Sequence, residues 1–457
     1  MQIDPTAGGA GSVKDRQSTL AAIDGLNEPE TLRNARRSAW RRFAELPMPT
    51  RKSEEWRYTE LSDLHLEDYD PALCATTFAE AGAPLSRKVG ELEALPESVR
   101  EVLARSGERS AVWVQVDGQA VYHRLDEELA ERGVTFAPIR QVALEQPELL
   151  ATYLFTSPIP SMEEKLWSAH VAFLSDGYFL HVPSGVHLPT PVHAFRVLTE
   201  SGLLVSSHSL VAVEQGGEAT CIDEFISEDL DGSSVSLAGT ELFGGEEATL
   251  RYIALQRFGR GVRHFGMQHV TTKRDSSLAG INVSLGADLA RADVTSHLEG
   301  PGSRSEMLAL WFGDRGQHFD HHTLQHHAAP SAFSDLLYKG ALTDSADSVF
   351  RGLIRVDPLA QLTDAYQTNR NLLLSDRASA RTLPNLEIEA DDVRCSHGAT
   401  VGQVDPQQLF YLLSRGLSRQ RAERLLVFGF FDEVLSRIPV EGVRSRIRES
   451  IESKIGI

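Results

Sequence analysis

Cysteine is scarce in this 457-residue sequence: Cys74, Cys221 and Cys395 are odd in number and far apart, which argues against a disulfide framework and for a reducing compartment. Basic charge is also in deficit. With 45 Lys and Arg against 64 Asp and Glu the formal charge is -19, so the surface repels phosphate backbones and anionic headgroups, and nucleic acid is not an expected partner. No apolar run approaches the roughly 20 residues that a membrane helix needs. The longest, Leu425 to Phe431, is far shorter. The start, MQIDPTAGGAGSVKDRQST, has neither a basic n-region nor an apolar h-region, so a cytoplasmic protein without an integral membrane segment is expected. No G-x-x-x-x-G-K-[ST] loop is present to cradle phosphates, and G-x-G-x-x-G, G-x-S-x-G and H-E-x-x-H are absent too. Any ATP that serves this protein is bound by another chain.

What is present reads in three textures. Residues 1–18 are small and polar, with Gly8, Gly9 and Gly11 close together, and are expected to be disordered. Helical spacing then begins: Leu32, Ala35, Ala39, Trp40, Phe43 and Leu46 recur opposite a run of arginines, and Pro29 and Pro47 bracket the helix. Trp56 and Tyr58, flanked by charges in RKSEEWRYTELSDL, read as anchors that hold a loop on a core. Ser86 to Arg105 reads as helix, and AVWVQVDGQAVYHRL as a hairpin turning at Asp117-Gly118. Residues 19–165 are therefore expected to form a mixed α/β N-terminal domain.

From Leu166 to Gly402 short Val, Ile, Leu and Phe runs alternate with Gly, Asp, Asn and Ser clusters. Units such as GEATCIDEF, GEEATLRYIAL, SDLLYKGAL and DSVFRGLIRV succeed one another at a loose period. Many short strands with recurrent turns fit a solenoid, a sandwich or a barrel, and the length of the segment favours a β-helix over 166–402. Helix returns in 403–457. Asp405 can cap a helix with Pro406 at its first position, and Leu409, Phe410, Leu412 and Leu413 form a face before Gly416. Ser418 can cap a second helix carrying Ala422, Leu425, Leu426, Phe430, Val434 and Leu435; Val443, Ile447, Ile451 and Ile455 mark a third. So small a tail must pack on the β-region or present a face to a partner.

Two polar clusters could carry chemistry. In GDRGQHFDHHTLQHH, strand alternation puts His318, Asp320 and His322 on one face, where imidazole and carboxylate could hold zinc or iron. The competing reading is a hydrogen-bonded histidine ladder on a sheet. A metal-dependent enzyme on a β-helix or cupin-like scaffold is the rival function that this His318–His327 cluster would support. In ADDVRCSHGATVG, Cys395 and His397 would share one side of a strand and could together meet a metal or an iron-sulfur cluster. The competing reading there is a buried structural cysteine beside a turn histidine.

Longer strings settle what spacing leaves open. The run YKGALTDSADSVFRGLIRV, then DAYQTNRNLLLSDRASARTLPNLEIEADDVRCSHGATVGQVDPQQLFYLLSRGL, resembles the SufB/SufD family, as do RKSEEWRYT and LSDGYFLHVPSGVHLPTPVH upstream. The likeness runs from about Arg51 to Arg437. C-S-H-G-A-T resembles the SufD branch, where SufB-like chains would carry an E-H-E-A-type string.

The resemblance implies a right-handed parallel β-helix core, an α/β N-terminal domain and a C-terminal helical domain. It implies a non-catalytic scaffold in iron-sulfur cluster assembly, paired with SufB through the β-helix and docked to the ATPase SufC through the C-terminal helices. It leaves room for a homodimer of the isolated chain. The position matched by His397 would face SufB and help ligate a transient cluster, with Cys395 as an auxiliary contact. Leu409, Phe410, Leu413, Arg415, Leu425, Leu426 and Phe430 would lie in the SufC-binding region. Reduced flavin is associated with the family complex, and nothing in the sequence locates a flavin site.

Overall fold

The computed structural model describes residues 16–26, 28–73, 88–105, 107–161 and 163–455. Two long sheets dominate, one of ten strands and one of eleven, and in each the last eight strands are parallel. The chain alternates between them: Leu289–Leu298 lies in the first sheet, Arg304–Gly313 in the second, and His318–His327 in the first again. This is a parallel β-solenoid. Its coils pair in register at unequal steps, Arg263 lying beside Leu289 but Asp347 beside Ser379. Turns of different length absorb the difference, which is why the sequence period looks loose. Alternating side chains point into the lumen and pack as one core of Trp311, Phe319, Leu336, Tyr338 and Phe350.

The two ends of the solenoid differ. At the first end the hairpin Ala111–Val116 and Gln119–Leu125 extends the second sheet, and Thr135–Pro138 extends the first. Asp117 and Gly118 both take positive φ, as the sequence required of a two-residue turn. At the other end Ser379–Ile388 and Arg394–Gln403 are each paired on one side only, and neither strand contains a buried residue.

The outer faces are covered by the chain termini. Helix Glu30–Glu45 and helix Glu164–Ala172 lie over the first sheet, burying Trp40, Phe43, Trp167 and Phe173 with Leu237, Phe265 and Met267. On the second sheet, helices Arg419–Leu435 and Glu441–Ile455 bury Val427, Phe431, Val434, Val443, Ile447 and Ile451 against Ile253, Ile281, Leu308, Leu310 and Leu337. Each such side chain contributes about 1.5–3 kcal/mol relative to exposure. The caps foreseen at Asp405 and Ser418 are formed, their side chains accepting from the backbone N–H of Gln407 and Arg421.

Two expectations need correction. Within Ser86 to Arg105 the helix covers only Glu97–Arg105, preceded by a 3-10 turn at Leu92–Ala94 and a short strand at Lys88–Val89; Ser86 and Arg87 lie outside the described residues. Pro96 disfavours helical geometry in the residue before it and so fixes the start. The disorder expected over 1–18 falls on residues outside those described as far as residue 15, and the chain is helical from Arg16 to Asp24. Cys74 also lies outside the described residues. No helix among the described residues is long and apolar enough to cross a membrane.

Candidate functional site

The histidine-rich strand is divided by its own alternation. His321 points into the lumen, stacked on Trp311 with ring centroids 4.4 Å apart, and burial lowers its pKa to about 3, leaving it neutral. Asp320 and His322 face outward beside Arg291 and Asp293 of the previous coil, as their shared spacing predicted. There they are occupied. Arg291 grips Asp293 through two 2.8 Å bonds and donates to Asp320 at 2.7 Å and to the Glu55 carbonyl at 3.1 Å. Its guanidinium lies 3.7 Å from the Trp56 ring centre.

Thr59 donates to Asp320 at 2.6 Å and meets His318 at 2.9 Å, His322 lies 3.0 Å from the other Asp320 oxygen, and Asp347 holds His318 from the next coil at 3.1 Å. Burial would raise the Asp320 carboxyl, but His322 and Arg291 outweigh it and hold the group far below the ordinary carboxylate range. The RKSEEWRYT segment is thus a strap, and the cluster is its clasp. Arg351 and Glu54 continue the strap by a 2.8 Å bond. Among the described residues no group of three or more His, Cys, Asp or Glu is placed to hold a metal ion.

The second cluster sits on the bare terminal strand Arg394–Gln403. Register sets Cys395 beside Ala365 and His397 beside Gln367, both buried lumen-facing residues, so thiol and imidazole share the face at the mouth of the lumen. Cys395 is half-buried against Leu386, Ala390 and Val393, and that burial, reinforced by Asp364, pushes its thiol pKa up. His397 is exposed, and Gly398 beside it has nothing within 4 Å of where a Cβ would stand. The two residues singled out from C-x-H spacing are therefore brought together, and among the described residues nothing closes over His397.

The C-terminal helices present a separate apolar surface. Helix Pro406–Ser414 leaves Phe410 72% and Tyr411 55% exposed, and Leu425 on the next helix is 51% exposed. Leu409, Leu413, Leu426 and Phe430 are half-buried around them, and Arg415 lies over the Tyr411 ring. All seven residues predicted to form a docking region are thus unburied, while their neighbours Val427 and Phe431 face the solenoid.

Sequence reasoning missed the residues that fasten these helices to the sheet. Lys339 donates to the Phe430 carbonyl at 2.9 Å and pairs with Glu433 at 2.6 Å; Arg437 bridges Glu306 and Asp335; Lys454 is half-buried on Asp314, Gln317 and the Phe312 carbonyl. A lysine in the otherwise apolar strand motif YKGAL was the one available signal for Lys339.

Residues 195–430 match the model of the SUF system FeS cluster assembly SufBD core domain, and residues 20–82 that of the SufBD protein N-terminal region. The iron-sulfur cluster assembly protein SufD of Bacillus subtilis is 30% identical over 433 residues, covering 94% of this chain and 95% of that protein. A SufBD family protein of Mycobacterium leprae is 34% identical over 60% of this chain and 70% of its own length, and one of Synechocystis is 28% identical over 93% and 92%. The chain belongs to the SufBD family of iron-sulfur cluster assembly proteins.

Proposed function

We propose that this chain is a non-catalytic scaffold of a SufB-SufC-SufD complex, acting in the cytoplasm in the position of SufD. The observation that carries the proposal is the uncapped end of the solenoid. Unpaired strand edges are templates for another chain, and proteins that remain single usually blunt or cover them. Here the edge is bare and carries Cys395 and His397 at its lumen mouth. A SufB solenoid seated on that edge would complete the ladder and bring its own ligands opposite His397. The iron-sulfur cluster is the cargo: an imidazole with one auxiliary thiol suits a cluster that must leave, since incomplete cysteine ligation is more labile. The same edge offered to a second copy accounts for a homodimer of the isolated chain.

SufC would dock on the surface around Phe410 and Leu425 and supply the ATP binding that this chain's sequence lacks. Lys339, Arg437 and Lys454 tie the neighbouring helices to the second sheet, so movement of SufC would be passed to the solenoid as a rigid lever. We assign the core a right-handed coil, with domains at 19–165, 166–402 and 403–457. Reduced flavin would be a component of the assembled complex and has no site assigned in this chain.

Co-expression with SufB and SufC tests the assignment. The chain alone should hydrolyse no ATP, and all three should co-purify. Deleting everything after Gly402 would strip the cover from Ile253, Leu308 and Leu310, so Phe410→Ser with Leu425→Ser is the cleaner probe. SufC retained by that double variant refutes the docking surface.

A further inference from the structure

The strand Asp364–Leu373 lies directly beneath the terminal strand and carries a polar row that the scaffold reading has not used. Gln367, Asn369 and Asn371 are buried, alternate with residues that are not, and point into the lumen. Asn369 donates to the Tyr338 carbonyl at 3.1 Å, and Asn371 donates to Asn369 at 2.8 Å. Gln367 is different. It is 1% exposed, yet neither its carbonyl oxygen nor its amide nitrogen has a hydrogen-bond partner. Leaving a buried polar group unpaired costs on the order of 1–3 kcal/mol, so native proteins rarely do so without a use for it. The amide extends across the lumen to the backbone of Gly352, where a Cβ would stand 2.3 Å from its nitrogen.

Register pairs Gln367 with His397, one strand above on the same face. Parallel strands are about 4.8 Å apart, so rotation about the Gln367 side-chain torsions brings its amide under the imidazole. Thr382, across the mouth on the last strand of the first sheet, also has a hydroxyl without a partner. An exposed imidazole therefore stands over an amide that still has both a donor and an acceptor to give.

We propose that Gln367 is a positioning residue for His397. Its amide takes one ring nitrogen, fixes the ring's tautomer and aims the other nitrogen at the group being bound, as partners behind metal-binding histidines do elsewhere. The proposal rests on the reading of His397 as a cluster ligand.

The test is the full complex co-expressed with SufB and SufC, reconstituted anaerobically, with iron and sulfide content and the rate of iron loss to a chelator as readouts. Gln367→Leu should assemble at wild-type subunit stoichiometry and be no less stable to heat, yet hold several-fold less cluster and lose it to chelator about tenfold faster. Gln367→Glu, which keeps volume and an acceptor, should fall between Leu and wild type; it carries the test should the Leu variant fail to assemble. Wild-type content and chelator rate in the Gln367 variants, while His397→Ala empties the site, overturn the proposal and leave the His397 reading standing. A full site in His397→Ala removes that reading instead.

Discussion

The strand His318–His327 and the strand Arg394–Gln403 belong to the same solenoid and carry similar chemistry, but only the second is open. The first has the greater density of ligating side chains, and its outward members are consumed: Arg291, Thr59 and His322 crowd onto Asp320, and the Trp56 strap lies across them. The second has one thiol and one imidazole on a strand without a buried residue. Availability separates the two strands, not the number of histidines. The difference is made by the described parts of the chain's own termini, which cover both sheets and leave the edge strand Arg394–Gln403 exposed.

The sharpest way to break this comparison is to attack the clasp. Arg291→Met leaves Asp320 and Asp293 buried without their cation, and removal of one partner of a buried pair costs about 3–5 kcal/mol. Chemical denaturation should show a loss of that order; a neutral result would mean the cluster is not structural. Acid should loosen the same place by a smaller amount. Asp320 is depressed in the folded protein, so the stability it contributes is complete above the ordinary carboxylate pKa of about 4 and is lost as pH falls below that toward its folded value. Hydrogen exchange of residues 54–59 should therefore accelerate below about pH 4, and Asp320→Asn should flatten that dependence. An unchanged pH profile in the variant would place the acid sensitivity elsewhere.

The open regions should respond in the opposite sense. Phe410→Ser and Leu425→Ser, at exposed positions, should alter stability by no more than about 0.5 kcal/mol while releasing SufC in a pull-down. Smallest of all on the fold, His397→Ala and Cys395→Ser should leave the denaturation midpoint where it is. A large destabilisation from either would make the pair part of the core and erase the contrast between the two strands.

Much of this was legible in the sequence because local chemistry and global fold agree. Asp117-Gly118 could only be a tight turn, Asp405-Pro406 and Ser418 could only open helices, and valine and isoleucine at four-residue spacing in the last helix had to face a core. C-x-H spacing placed Cys395 and His397 on one face, and the register agrees. What was illegible depends on contacts distant in sequence. Thr59 and Asp320 are 261 residues apart and Lys339 and the Phe430 carbonyl 91, so no window of sequence reveals the clasp or the fastening of the helices. Gln367 was hidden for another reason: its meaning lies in hydrogen bonds it does not make.

The central claim is most directly tested by the cluster content of the anaerobically purified complex carrying His397→Ala, compared with wild type at equal subunit stoichiometry. The account predicts a several-fold loss of iron and sulfide in a protein that is as stable as before. Full cluster content in that variant would contradict it.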